Sequence, residues 1–292
     1  VTYEGAPALH EDDHLLVRAF AVRGVAATPA IWSGPSVDWS TFDAALLRST
    51  WDYFHRLPEF LAWVTRIASL TRLYNPPKAI RWNCDKRYLR DLGERGVPII
   101  ATVWREPGER LDLAQVVRAT GWSRLVVKPA VSGGAFATLL VEDDGAAREK
   151  AETELAAVSR ERAFLIQPYL PSVADGEASL FYFGGRFSHA VLKRPVPGEF
   201  RVQEMFGGIA SLHEPSPAER AVAAHALAAS AEATGEGLLY ARIDLLAGDD
   251  GAPRLIEVEA IEPFLFLAQK AGSEEALVTA LLARHDSAAN GT

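Results

Sequence analysis

The sequence predicts an α/β chain that takes on α+β character in its second half, built as a small N-terminal lobe followed by two larger ones. Three observations carry this prediction. Strand-like alternation and helix-like spacing follow one another from the first residues onward. The pair Pro76 and Pro77, after Tyr74 and Asn75, interrupts that order, because adjacent prolines stop regular structure and restrict the residue before them. From Ala178 the chain changes to neighbouring strands joined by glycine turns.

Val1, Thr2 and Tyr3 read as the end of a strand, with no basic stretch leading into an apolar core, so no signal peptide is expected. Leu15–Val22 has helical spacing, with Asp12 or Asp13 as its cap. Ala44–Leu47 is a short apolar strand that runs into Arg48, Ser49, Thr50, Trp51, Asp52 and Tyr53, and Pro58–Leu70 is an amphipathic helix. These elements make a first lobe, residues 1–75. A central lobe, 76–168, opens with a helix over Cys84–Arg95 ended by Gly96. Strands at Val97–Thr102, Arg124–Lys128, Thr138–Val141 and Phe164–Gln167 follow, interleaved with helices near Leu111–Thr120 and Ala146–Ser159. In the third lobe, 169–285, Ser179–Phe183 and Phe187–Val191 form a hairpin at Gly184 and Gly185. An alanine-rich helix covers Pro217–Thr234, and strands at Leu239–Ala247 and Arg254–Glu259 flank a turn at 248–251. The small, polar segment 286–292 reads as a flexible tail.

Composition narrows the function classes. At 292 residues and 49% hydrophobic, the chain can bury a large core. A formal charge of −8 provides no basic field for nucleic acid. No apolar run reaches the ~18 residues that cross a bilayer. The single cysteine, Cys84, forms neither an internal disulfide nor a thiolate metal site, which suits a reducing cytoplasm. A homo-oligomer is a reasonable expectation.

Chemistry concentrates in the last strand pair. Period-two geometry puts Arg242 and Asp244 on one face, and Glu257 and Glu259 likewise. Facing carboxylates repel unless a cation lies among them, and hard oxygen ligands suit Mg²⁺ held partly by nucleotide phosphates. The same pattern also describes a solvated hairpin face. A second element is Lys128, ending a buried strand ahead of the loop 131–138, which contains Ser132, Gly133 and Gly134. Its ammonium and the loop N–H groups can meet one anion, although glycines also mark plain turns. No Walker P-loop and no Rossmann fingerprint is present. Lys86 lies on the helix after the prolines, an apolar strand enters a proline-containing connector at Gln167–Leu170 whose free edge can meet a base, and Glu177 can accept from ribose hydroxyls. Six of the seven histidines, His10 among them, are scattered without ligand spacing, while His189 lies on a strand from which it can either approach the site or pack.

Taken in order, these residues resemble the ATP-grasp superfamily, in the branch of glutathione synthetase, the ribosomal-protein S6 modification ligase and D-alanine–D-alanine ligase. The resemblance covers about Pro76 to Leu267. It implies an ATP-grasp fold, with an N-terminal pre-ATP-grasp lobe and two lobes enclosing the nucleotide. It further implies that Lys86 and Lys128 bind ATP phosphates under a loop containing Ser132, Gly133 and Gly134. Gln167, Pro168, Tyr169 and Leu170 would then hold adenine, and Glu177 the ribose. Asp244, Glu257 and Glu259 would hold Mg²⁺, or Mn²⁺ in its place. The branch usually has asparagine where this chain has Glu259, which adds a negative charge and leaves the number of metal ions open.

The strings Arg48–Tyr53, Arg81–Asn83, Gln167–Pro171, His189–Pro195 and Phe200–Gln203, with Gly207 and Gly208, are similar to those of a bacterial group that includes the O-ureido-D-serine cyclo-ligase of D-cycloserine biosynthesis. The implied reaction phosphorylates a substrate carboxylate with ATP, and a nitrogen nucleophile then attacks the acyl phosphate. Arg242, Lys128 and Arg201 are the expected catalytic residues. Arg48, Ser49, Asp52, Arg201, Gly207 and Gly208 are the expected pocket for an amino-acid-like substrate. Intramolecular cyclisation of O-ureido-D-serine is the expected reaction. An intermolecular amino-acid or peptide ligase is the enzymatic alternative, and a nucleotide-binding regulatory module without turnover is the non-enzymatic one.

Overall fold

The structure is a computed structural model that describes residues 1–289. Three sheets order it. Near the N-terminus, β1 (Ala44–Leu46) and β2 (Arg72–Tyr74) pair in parallel, flanked by α1 (Glu11–Val22) and α2 (Leu57–Ala68). The amphipathic face of α2 buries Phe60, Trp63, Val64 and Ile67 against Trp32 and Trp39. Edge-on ring pairs such as Trp32–Phe60, at 5.5 Å, add about 1 kcal/mol each beyond their burial. The cap of α1 is His10, so neither Asp12 nor Asp13 takes that role. Both aspartates are buried and hold distant parts of the chain.

The helix expected over Cys84–Arg95 is shorter, α4 (Tyr88–Glu94); an unexpected α3 (Pro77–Asn83) precedes it, and Lys86 sits in the turn between the two rather than on a helix. The segment 97–102 is no strand. It makes one bridge, Ile99 to Leu255, because Pro98 has no N–H with which to extend a ladder. The strand lies just beyond, at β3 (Val103–Arg105). It joins β4 (Leu125–Pro129), β5 (Leu139–Val141) and β6 (Phe164–Pro168) in an antiparallel sheet of order β3-β6-β4-β5. The outer face of that sheet, through Leu125, Val127, Phe164 and Ile166, packs on α5 (Leu113–Thr120) and α6 (Gly145–Leu155), while the short α7 (Val158–Glu161) leads into β6.

The third sheet, of order β11-β10-β7-β8-β9, is antiparallel throughout. It comprises β7 (Glu177–Phe183), β8 (Arg186–Arg194), β9 (Ile209–Leu212), β10 (Tyr240–Ala247) and β11 (Pro253–Glu259). One face presents Ala178, Leu180, Ala241, Ile243 and Val258 to α8 (Pro217–Thr234), whose Ala223, Ala226 and Ala229 allow close approach. A full capping box, Ser216 with Glu219, starts α8, and Gly235 ends it in the left-handed conformation. The final helix, α9 (Ser273–Ala289), takes in residues 286–289 of the expected tail. Residues 290–292 lie outside the described residues. Among the described residues no helix is long and apolar enough to cross a membrane.

Candidate active site

The second and third sheets face one another across a cavity of about 740 Å³. Its floor is the polar face of the third sheet. Strand register places Arg242 opposite Glu259 and Asp244 opposite Glu257, so all four side chains share one side, as the alternation of the sequence predicts. The same face continues through Ser179 and Glu177 on β7 to Lys193 on β8. These residues form one connected network. Arg242 holds Asp244 with an Nη2–Oδ2 distance of 2.8 Å and also pairs with Glu259. Ser179 donates to Asp244 at 2.6 Å. Lys193 pairs with Glu177 and approaches Asp244 at 3.5 Å. The sequence reading missed Lys193; its period-two placement on β8, directly opposite Glu177, was the available signal.

Burial and pairing compete at each of these groups. Burial works against ionisation of Asp244, but Arg242 and Lys193 outweigh it and hold its pKa well below the usual range. At Glu259 burial wins, reinforced by Glu257 and Asp244 against the pull of Arg242, and the carboxyl is pushed up to about 7. Burial also raises Glu177 and Glu262, the latter with help from Glu259. The floor therefore holds more negative charge than its own cations relieve. Among the described residues no three carboxylates converge as a ready-made metal cluster, since each is drawn to a lysine or arginine.

The opposite wall supplies two lysines of different status. Lys86 lies beneath the glycine loop, its backbone N–H donating to Ala130 O at 2.8 Å. Its ammonium donates to Ser132 O at 2.8 Å and meets Glu257 at 2.9 Å. Burial opposes that charge, but Glu257 overcomes it and the Lys86 pKa rises. Lys128, 9% exposed at the end of β4, has no hydrogen-bond or ion-pair partner among the described residues, and burial lowers its pKa. An unpaired buried ammonium facing a cavity is a site for an anion.

The loop between β4 and β5 bends sharply over this wall. Gly134, Ala135 and Ala137 all have positive φ, at 54°, 59° and 51°. Gly133 approaches Phe54 so closely that a Cβ would lie 2.9 Å from the ring. The lining also includes Val126 of one sheet and Leu246 and Ile256 of the other, together with Gln167, Pro168, Tyr169 and Leu170. This apolar part of the lining has the chemistry for a flat base.

The expected substrate residues divide. Arg201 lines the cavity, stacked 3.7 Å over Phe206 and paired at 2.6 Å with Glu199, whose carboxyl it draws down to about 2. Gly207 and Gly208 lie beside it off the lining. Gly208 backs onto Val202, whose carbonyl oxygen would be 2.0 Å from any Cβ. Arg48, Ser49 and Asp52 do not line the cavity. Arg48 is 5% exposed and, together with Ser49, is spent on Asp13; Arg48 also donates to Pro263 O at 2.8 Å. Asp52 accepts from the Trp32 indole at 2.8 Å. These three are engaged within the lobe because the chain after β1 buries Arg48 and Ser49 and aims Asp52 at Trp32. Their neighbours Tyr3, His10 and Trp51 reach the cavity instead, so His10 was misread as a scattered histidine. Cys84 is buried, with its thiol pKa pushed up by burial, as expected for a packing residue.

Two asparagines that the sequence did not single out set the floor in place. Asn75 donates to the carbonyls of Tyr240 and Ala260 and accepts from Leu239 N, which ties β10 to the chain leaving β11. Asn83 donates to Val258 O and accepts from Ala260 N, and Tyr88 OH bonds both backbone groups of Val258.

A family model described as the D-cycloserine synthetase DcsG N-terminal domain matches residues 1–75, and one for the ATP-grasp domain of prokaryotic glutathione synthetase matches residues 109–266. The chain is 36% identical over 264 residues to the cycloserine biosynthesis protein DcsG of Streptomyces lavendulae, covering 86% of each. It superposes on the crystal structure of D-cycloserine synthetase DcsG with a TM-score of 0.89 at 32% identity, covering 97% of this chain and 98% of that one. D-alanine–D-alanine ligase from Bacillus anthracis, complexed with ATP, shares the fold at a TM-score of 0.69 and 17% identity, covering 96% and 95% of the two chains. The chain belongs to the ATP-grasp ligases, in the group of the cycloserine biosynthesis protein DcsG.

Proposed function

We propose that this enzyme uses ATP to close O-ureido-D-serine into D-cycloserine. The reading is supported most by one cleft that combines an apolar stretch of lining, the unpaired ammonium of Lys128 and the carboxylate-rich floor, in a chain similar to DcsG along almost its whole length. The substrate carboxylate attacks the γ-phosphorus of ATP, ADP leaves, and an acyl phosphate forms. The ureido nitrogen attached to oxygen then attacks the acyl carbon, phosphate leaves with the bonding pair, and a five-membered ring closes as the nitrogen loses its proton. Water removes the carbamoyl group as CO₂ and ammonia. Holding nucleophile and electrophile in one molecule gives a high effective concentration without a second amino-acid site.

Lys128 and Lys86 are the residues for the phosphates, with Ser132, Gly133 and Gly134 covering them. Gln167, Pro168, Tyr169 and Leu170 are those for adenine, and Glu177 is the carboxylate for the ribose. Arg242 neutralises charge on the transferring group from the floor, and Arg201 grips the substrate carboxylate when it exchanges Glu199 for that partner. Asp244, Glu257 and Glu259 fit Mg²⁺, being all oxygen donors on a floor with surplus negative charge. Bound there, Mg²⁺ supplies positive charge against the phosphate oxygens. The test is ADP release with O-ureido-D-serine at saturating ATP and Mg²⁺, with the product identified by mass. D-cycloserine formed in step with ADP supports the reading, and ADP release only with a second amino-acid acceptor replaces it with an intermolecular ligase.

A further inference from the structure

The turn after β11, residues 261–268, is held more firmly than an ordinary loop, and the first lobe does the holding. The Trp51 indole donates to Glu262 O at 3.0 Å, and Arg48 Nη2 donates to Pro263 O at 2.8 Å. Asp12 accepts from Leu265 N at 3.2 Å and from Leu267 N at 2.7 Å. His189 bonds Leu265 O at 3.0 Å from the sheet below. The backbone of this turn is thus fixed from two sides. The carboxylate of Glu262, which lines the cavity, is treated differently. It accepts no hydrogen bond and has no lysine or arginine within ion-pair distance among the described residues. Asp244, Glu257, Glu259 and Glu177 all have such a partner.

Aromatic residues share this lining: the Trp51 indole, bonded to Glu262 O, meets the His10 ring at 5.6 Å, and His10 meets Phe264, two residues along from Glu262, edge-on at 4.8 Å. A carboxyl group without a cationic partner, in a cavity also lined by aromatic rings, matches an organic cation, whose charge favours the ionised carboxylate and which gains a charge-assisted hydrogen bond from it and cation–π attraction from the rings. A metal ion would leave the rings without a role. We infer that Glu262, with Trp51, His10 and Phe264, is the subsite for the α-ammonium group of the amino-acid substrate, and that it selects ammonium-bearing substrates over their des-amino analogues. The inference rests on the reading of the cleft as an amino-acid-activating site. It explains why the first lobe spends Arg48, Trp51 and Asp12 on one turn: together they hold the backbone that carries the specificity group, and Trp51 also presents its ring to the substrate.

The test compares the wild-type enzyme with Glu262→Gln, on O-ureido-D-serine and on 3-(ureidooxy)propanoate, which lacks only the amino group. The wild type is expected to prefer the amino substrate in kcat/KM by about 10- to 100-fold, the usual scale of a hydrogen bond to a charged group. In Glu262→Gln that preference falls to within about threefold, while the apparent constants for ATP and Mg²⁺ stay within about threefold of wild type. Unchanged discrimination in the variant overturns the inference. So does a shift of more than about tenfold in the Mg²⁺ requirement with discrimination intact, which would make Glu262 a metal ligand. If the wild type turns over neither compound, the proposed reaction fails, and the subsite is judged by calorimetric binding of D-serine and 3-hydroxypropanoate. A wild-type preference for D-serine that Glu262→Gln abolishes upholds the subsite; equal binding, or binding of neither, overturns it.

Discussion

Two buried arginines, Arg48 and Arg242, look alike in the sequence and do opposite work. Each follows an apolar stretch, and each pairs with an aspartate, at 2.9 Å to Asp13 and 2.8 Å to Asp244. Around Arg48 the charges pair off: Asp13 takes Arg48 and Ser49, and the guanidinium also holds Pro263 O, with its Nη1 alone left without a hydrogen-bond partner. Around Arg242 they do not pair off. Asp244 is satisfied, but Glu259 and Glu262 remain pushed toward their neutral forms beside a cavity. A network that balances its own charge is a brace, whereas one that leaves charge over beside an open space is a binding site.

Four measurements break or sharpen that contrast, from the largest expected effect to the smallest. Glu257→Gln removes the partner of Lys86 and an expected metal ligand, so kcat/KM at saturating Mg²⁺ should fall by about 10²- to 10³-fold in steady-state assays. If activity survives, the role given to Glu257 is wrong. Arg48→Met strands Asp13, so calorimetry should show a loss of about 3–5 kcal/mol, while the folded fraction keeps its KM for ATP within about threefold. A large change in that KM would move Arg48 into the site.

The third measurement concerns His189, 3% exposed, stacked 4.4 Å from Phe181 and kept neutral by burial, with its pKa lowered to about 4. A base whose folded pKa lies below its unfolded value near 6.5 is protonated first in the unfolded chain. The stability it contributes is present above pH 6.5 and is lost as pH falls toward 4, by up to about 3 kcal/mol. Melting curves of His189→Gln should therefore be less steeply dependent on pH between 6.5 and 4 than those of the wild type; an unchanged dependence assigns it to other groups. The smallest effect belongs to Glu199→Gln. The Glu199–Arg201 pair is open to solvent, so its loss costs under about 1 kcal/mol of stability. Freed Arg201 should nevertheless lower KM for the amino-acid substrate by a few fold, and a raised KM would show that Glu199 orients it.

Much of this was legible in the sequence where one physical cause governs a pattern. The alternation Arg242, Asp244, Glu257, Glu259 survives because one face of the sheet meets a cavity and the other meets the alanines of α8. The limits of α8 were readable because Ser216, Pro217, Glu219 and Gly235 are local signals. Other features depend on tertiary contacts that no local signal records. Helix α3 went unread because Pro76 and Pro77 signal a stop, although Pro77 begins the helix, and the turn at Cys84 and Lys86 was taken into α4 because what holds Lys86 there is Ser132 and Glu257, far along the chain. Strands β2 and β9 are short and not wholly apolar or buried, with Arg72 in the one and an exposed edge in the other, whereas the equally short β1 and β5 are apolar throughout and were readable. Arg48, Ser49 and Asp52 were placed in the pocket from a motif, but which way a strand end faces is set by its neighbours. Glu262 went unassigned because only the absence of a partner, visible in three dimensions, sets it apart.

The central claim is that this cleft activates the carboxylate of O-ureido-D-serine by phosphorylation before the ring closes. The direct measurement uses substrate carrying ¹⁸O in both carboxylate oxygens, with the released phosphate analysed by mass. Phosphate bearing one ¹⁸O, formed in equal amount with ADP and D-cycloserine, is the predicted result. Unlabelled phosphate released alongside D-cycloserine would contradict the account.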